Sequence, residues 1–216
     1  MTLPRPRPSA VAVVIALVVG AAIAGYLARP AIDGAPAAHP APLTSTETAF
    51  LQDMIGHHQQ AVVMGKSVDR DGIDPGVRAL ARQIAETQQY ELGTMIGWLR
   101  LTGAPLQNPT PMTWMHAGHD TTMQGMAMPH TAMPGMATTE QLDRLAAASG
   151  QAAEDLFLTL MYRHHQGGIA MAQTVDPMVV HGAVRQTVRD MISTQSSEVG
   201  LIGVMLEQRS ATRPVG

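Results

Sequence analysis

The sequence contains no cysteine, which excludes disulfide bonds, thiolate zinc sites and cysteine nucleophiles. Any soft metal ligand in this chain must therefore be methionine. Aromatic residues make up only 3% of the chain while methionine occurs 16 times, so thioethers and small aliphatic groups must fill much of any core. Basic residues are not in excess, because 14 Lys and Arg stand against 17 Asp and Glu. Without a basic stripe to neutralise phosphates, nucleic acid is not an expected partner.

The N-terminus carries a long apolar run. Arg5 and Arg7 precede residues 10–28, which are uninterrupted by charge, so residues 1–29 are predicted to be a signal peptide or a signal-anchor transmembrane helix. The length of the run favours a retained single-pass anchor in the cell membrane, with the following domain outside the cytoplasm. The small-x-small sequence at 22–24 keeps signal cleavage, and a secreted or periplasmic protein, as the alternative.

The chain also contains an internal repeat. Shifting the sequence by 107 positions aligns residues 50–99 with residues 157–206 without a gap. The opening ten residues of the two segments read FLQDMIGHHQ and FLTLMYRHHQ. About a third of the aligned positions are identical, which indicates a duplication.

Each half has the apolar periodicity of two helices. In the first half the stripes are Phe50, Met54, His57, Ala61, Met64, Val68 and then Val77, Ala81, Ile84, Gln88, Glu91, Met95, Trp98. Asp74-Pro75 between them is typical of a helix start, Asp176-Pro177 is predicted to repeat that device, and Gly103 is predicted to end the second helix.

Two such hairpins bury their stripes best against each other, so the predicted fold is all-α, a four-helix bundle over residues 46–208 that follows the N-terminal membrane or signal helix. Residues 30–45 are rich in Pro and Ala and are predicted to be an extended linker. Residues 104–138 carry five prolines and several glycines, so they are predicted to be a long loop rather than a bundle helix.

Polar residues interrupt the stripes near their midpoints. Pairing by distance from an antiparallel turn places His57 beside Glu91 and, in the second half, His164 beside Glu198. These two histidines and two glutamates would form one layer across the bundle. The same pairing puts Met54 and Met161 on one side of this layer and Met64 and Met171 on the other. Burying four ionisable groups requires that they pair or hold a metal. Two interpretations therefore stay open: hydrogen-bonded pairs that fix the register, or a metal site of imidazole, carboxylate and thioether ligands.

The predicted loop is rich in metal-binding side chains. Residues 112–136 hold seven Met and three His with little else that is apolar. Thioether and imidazole ligands on a Gly/Pro loop favour Cu(I), with Ag(I) or Cu(II) as alternatives, although a low-complexity linker remains an alternative interpretation. The candidate ligands are Met112, Met115, His116, His119, Met123, Met126, Met128, His130, Met133 and Met136.

The doubled F-L-x-x-M-x-x-H-H-Q pattern, with T-Q-x-x-E downstream in each half, resembles the domain of unknown function 305 family over residues 46–208. The resemblance implies a ferritin-like four-helix bundle that is exported and, in some members, associated with copper binding and tolerance. The motif residues that it implies are Met54, His57, His58, Met64, Met161, His164, His165 and Met171.

The favoured hypothesis is an exported or membrane-anchored copper-binding protein that sequesters or chaperones Cu(I), with a copper-transport or multicopper protein as a possible partner. A ferritin-like di-metal enzyme is the first alternative. It is disfavoured because Met54 and Met161 stand three positions before His57 and His164, where a Glu-x-x-His motif needs Glu. A structural or interaction bundle without metal is the second alternative.

Overall fold

The computed structural model describes residues 42–116 and 133–211, together with Val19, Ile23 and Tyr26, and divides into the units Met1–Ala41 and Pro42–Gly216. In the first unit those three residues are helical and exposed. The remainder of the predicted membrane or signal helix lies outside the described residues. Among the residues that are described, no helix is long and apolar enough to span a bilayer.

The described part of the second unit is helical and contains no strand. Four long helices confirm the predicted all-α class. A short fifth helix was not predicted, although the capping box of Thr138 with Gln141 marks its start. The helices are α1 (Ser45–Val68), α2 (Pro75–Leu101), α3 (Thr139–Ala147), α4 (Gly150–Val175) and α5 (Gly182–Ala211), with single 3-10 turns at Thr113–His116 and Asp176–Met178.

One of the two predicted helix starts is confirmed. The Asp74 carboxylate accepts hydrogen bonds from N–H groups in the first turn of α2, whose first residue is proline. The prediction for Asp176 is wrong, because Asp176-Pro177 forms a 3-10 turn and α5 begins only at Gly182. Asp176 instead matches Asp69, since each pairs with the arginine 13 positions later. In the repeat register, His181 is the counterpart of Asp74.

The helices form two hairpins, α1 with α2 and α4 with α5, which pack together mainly through α1 and α4. Met64 from the C-terminal half of α1 shares an apolar cluster with Met161 from the N-terminal half of α4. Met54 shares the second cluster with Met171. The predicted grouping of Met54 with Met161 is therefore wrong, because α1 and α4 cross antiparallel and the crossing reverses one helix.

Two buried glutamates stabilise the crossing of α1 and α4. Glu47 in α1 accepts the His181 N–H at the α4–α5 turn (2.8 Å) and contacts His181 Nδ1 (2.8 Å). Glu154 in α4, 107 positions later, accepts the Asp74 N–H at the α1–α2 turn (2.7 Å) and pairs with Arg209 (2.7 Å). Desolvation would raise the pKa of Glu47, but hydrogen bonds from His181 and from the helix start lower it to about 2. Each hairpin thus caps the turn of the other.

Candidate metal centre

Four histidine side chains lie at the crossing of α1 and α4, and none has any solvent exposure. They are His57 and His58 on α1 and His164 and His165 on α4. Adjacent residues on a helix are rotated by about 100°. One histidine of each pair therefore faces the other hairpin, and its neighbour faces the second helix of its own hairpin.

The second histidine of each pair contacts a buried glutamate. His58 Nε2 lies 2.7 Å from Glu91 Oε2, and His165 Nε2 lies 2.7 Å from Glu198 Oε2. The sequence correctly placed Glu91 and Glu198 in this layer but paired them with the wrong histidines. The error arose because the stripe that contains His57 faces the opposite hairpin and leaves His58 pointing at α2.

The first histidines of the two pairs stack on each other. The ring centroids of His57 and His164 are 3.8 Å apart with the planes tilted by 31°. His164 Nε2 donates to the His57 carbonyl oxygen (3.1 Å), and His57 Nε2 donates to the Pro134 carbonyl oxygen (3.1 Å). Pro134 lies near the end of residues 112–136, the Met/His-rich segment. This end of the segment therefore reaches the centre of the bundle.

All four imidazoles share one hydrogen-bonding state. Each Nε2 faces an oxygen atom that can only accept, either a carboxylate or a backbone carbonyl, so each Nε2 carries the hydrogen. Each Nδ1 is buried and has no hydrogen-bond partner. A histidine that binds a metal usually donates its other ring N–H to this kind of acceptor. The arrangement therefore leaves four buried Nδ1 atoms without a partner, each on a ring that is fixed through Nε2.

Electrostatics keep the stacked pair neutral. Desolvation, followed by the nearby His58, lowers the pKa of His57 to about 3. Desolvation, followed by His57, lowers the pKa of His164 well below its ordinary value. At neutral pH both rings are uncharged, so Nδ1 of each presents a lone pair.

Two glutamines from α2 and α5 also enter the layer. Gln88 and Gln195 are each 1% exposed, and they occupy the same position in the two halves. The Gln88 Oε1 atom lacks a partner, whereas both the oxygen and the nitrogen of the Gln195 amide lack one. The Gln195 oxygen occupies space that a Cβ on Gly168 would fill.

The first stem of the Met/His-rich segment, residues 112–116, is fixed to α1 by Asp53. This buried carboxylate accepts the Met112 N–H (2.8 Å), the Trp114 Nε1–H (2.8 Å) and the Asn108 amide (3.1 Å). Met112 has a φ of 64° and is 2% exposed. This methionine had been predicted as a ligand displayed on the loop, but it lies in the apolar core.

The second stem, residues 133–137, is fixed to α1 about two turns after Asp53. The Gln60 amide donates to the Ala137 carbonyl (2.9 Å) and accepts the Ala137 N–H (2.7 Å). Gly167 of α4 allows the Pro134 carbonyl to approach, since a Cβ at this position would overlap it. Both ends of the segment are thereby held against α1 on either side of His57.

The other predicted ligands of the segment divide into two groups. Met115, Met133 and Met136 are partly buried near the stems, and Met133 lies beside Gly56 on α1. The backbone of His116 belongs to the first stem. Outside the described residues lie His119, Met123, Met126, Met128 and His130.

The four helical methionines of the motif are fully buried beside the histidine layer. Met54 and Met161 precede the His pairs by three and four positions, which places each methionine on the same helix face as its histidines. Met64 shares its apolar cluster with Met161 of the opposite helix, and Met171 shares its cluster with Met54. Within residues 42–116 and 133–211, no three His, Asp or Glu side chains are grouped so that they could hold a metal ion by themselves.

The fold and the layer define a class: an all-helical bundle with a buried histidine and methionine centre at the crossing of two repeated hairpins. The chain belongs to the family described as Domain of unknown function (DUF305), whose model matches residues 47–206. The predicted family is therefore confirmed. No curated protein matches the chain.

Solved structures of the same fold resemble it closely. A protein from Streptomyces coelicolor, named as a predicted secreted protein of this family, shares 38% identity over 77% of this chain and 93% of its own, with a TM-score of 0.67. A fragment from Deinococcus radiodurans shares 28% identity over 77% and 99%, with a TM-score of 0.63. CopM in its Cu(I)-bound form shares 22% identity over 76% and 98%, with a TM-score of 0.56, and shows likeness of fold.

Sequence reasoning missed the residues that attach the segment and the two hairpins. Asp53 and Gln60 break the repeat, since their counterparts are Leu160 and Gly167, and such breaks were the available signal. Glu47 and Glu154 are the opposite case. They obey the 107-residue register but lie just before the stretch that had been aligned.

Proposed function

We propose that this chain is an extracytoplasmic copper-binding protein, exported or anchored by its N-terminus, that sequesters or chaperones copper in copper tolerance. The observation that carries the proposal is the set of four buried imidazoles, each donating through Nε2 and each with an Nδ1 that has no partner. An orphaned buried nitrogen is costly, so each Nδ1 calls for a partner such as an ion or a water molecule. The solved forms of CopM with Cu(I), Cu(II) and Ag support this choice of metal.

The residues suggest two related sites. One would use His58 Nδ1 with Met54 from the same helix face and Met171 from the same cluster. The other would use His165 with Met161 and Met64. Imidazole and thioether donors without thiolates select Cu(I) or Ag(I) over Zn(II). Glu91 and Glu198 then act as acceptors that orient the rings rather than as direct ligands.

The enzyme alternative receives less support. A di-metal oxidase site needs carboxylates that bridge its ions, but Glu91 and Glu198 each pair with a histidine. Glu47 and Glu154 are engaged at the helix turns, and Asp53 holds the first stem. The purely structural alternative explains the His–Glu pairs but not the four unpartnered Nδ1 atoms.

The test is a competition titration of the full chain with Cu(I) under anaerobic conditions. The variant His58→Gln with His165→Gln keeps a donor for each glutamate and removes the Nδ1 ligands. We expect the affinity of the tightest sites to fall at least about tenfold. His181→Asn, which keeps a donor for Glu47, is the matched control and should leave it unchanged. Equal affinities for the wild type and the double variant would remove the bundle site from the proposal.

A further inference from the structure

The two halves of the layer differ at one pair of positions. Gly168 on α4 is the counterpart of Ala61 on α1. The space that a side chain would take at Gly168 is occupied by the Gln195 oxygen, and His57 Cε1 lies 3.1 Å from the same point. Helices α1, α4 and α5 thus bring the His57 imidazole and the Gln195 amide to the same point.

The Gln195 amide is an unusual group to leave in this position. The side chain is 1% exposed, and neither its oxygen nor its nitrogen has a hydrogen-bond partner. Because both atoms lack partners, the amide can turn either atom toward His57 without losing a bond. Burying an unpaired amide is unfavourable, so a leucine here would be more favourable for folding alone.

The chemistry of an amide oxygen indicates what it would bind. Oxygen is a hard donor that contributes little to Cu(I) but suits Cu(II), which prefers mixed nitrogen and oxygen ligands. The remaining donors of the layer are imidazole nitrogens and soft thioethers. An oxygen beside His57 therefore changes which oxidation state the layer can hold.

We infer that Gln195 is a specificity-determining residue whose amide oxygen, admitted by Gly168, lets the layer bind Cu(II) beside His57 as well as Cu(I). The inference rests on the proposed function, since it assumes that the bundle histidines bind copper. Gln88 is not expected to take the same role, because the counterpart of Gly168 in the first half is Ala61, which carries a Cβ.

The experiment measures Cu(I) and Cu(II) affinities of the full chain by competition with chelators for Gln195→Leu, Gly168→Ala and the matched control Gln88→Leu. Gln195→Leu is expected to weaken Cu(II) binding by about tenfold or more while Cu(I) binding changes less than about threefold. Gly168→Ala, which displaces the Gln195 oxygen without removing it, should likewise weaken Cu(II) binding while leaving Cu(I) binding nearly unchanged. Gln88→Leu should change neither affinity. Thermal unfolding verifies that each variant is folded.

Three results would overturn the inference. Unchanged Cu(II) affinity in Gln195→Leu would show that the amide is not a donor. Equal losses of Cu(I) and Cu(II) affinity would show that it only positions His57. An equal split in Gln88→Leu would show that the halves are equivalent. Failure of the proposed function looks different, because the wild type would then bind copper no more tightly than the His58→Gln, His165→Gln variant.

Discussion

The buried histidines make stability depend on pH in a predictable direction. The pKa of His57 is about 3 in the folded chain and 6.5 when unperturbed, and the pKa of His164 is also lowered. Between these values the unfolded state binds more protons than the folded state, so acid favours unfolding. The stabilisation is complete above pH 6.5 and is lost as the pH falls toward 3.

The magnitude for His57 follows from one proton that only the unfolded chain binds in this window. From pH 6.5 to 5, His57 alone should lower the free energy of unfolding by roughly 1.5 kcal/mol, a large share of the about 5–15 kcal/mol typical of a domain, and His164 should act in the same direction. Urea unfolding in the presence of a metal chelator measures this slope at each pH. His57→Gln with His164→Gln should flatten the slope in this window, whereas His39→Gln, in the Pro/Ala-rich residues 30–45 that are predicted to be a linker, should not. A wild-type free energy of unfolding that is level from pH 6.5 to 5 would show that the two buried rings do not take up protons on unfolding.

Three further predictions concern the attachments. Gly167→Ala should push the Pro134 carbonyl off α4 and increase protease cleavage near the second stem, whereas Gly200→Ala, with nothing within 4 Å, should not. Asp53→Ala removes the acceptor of the Trp114 indole N–H, so tryptophan fluorescence should shift toward that of an exposed ring, and an unchanged spectrum would contradict the anchor. Glu47→Ala and Glu154→Ala should each lower the free energy of unfolding by about 2 kcal/mol, as measured in urea, while the exposed Glu207→Ala should have little effect.

Much of the fold could be predicted from the sequence because periodicity and duplication carry it. The stripes with a 3.6-residue period defined four long helices, and Asp74-Pro75 marked the start of α2 correctly. The short helix α3 and the role of Asp176 were missed, since capping and turn geometry depend on a few local hydrogen bonds. Which methionines share a cluster depends on the antiparallel crossing, which no pattern within one helix reveals.

The site was predicted at the level of its layer but not of its contacts. Periodicity correctly predicted that His57 and His164 are buried. It also placed Glu91 and Glu198 at the same level along the bundle axis. It could not show that His58 and His165 take those glutamates, because this depends on which helix lies on each flank. Long-range contacts such as that between His57 and Pro134 require the folded chain.

The most direct test of the central claim is copper X-ray absorption on a chain in which residues 117–132 are replaced by a Gly/Ser linker of equal length. This replacement keeps Met112, Trp114, Pro134 and Ala137, which hold the stems. With one equivalent of Cu(I) bound, we expect scattering from both imidazole nitrogen and thioether sulfur. A folded chain that retains no copper would contradict the proposed copper site in the bundle.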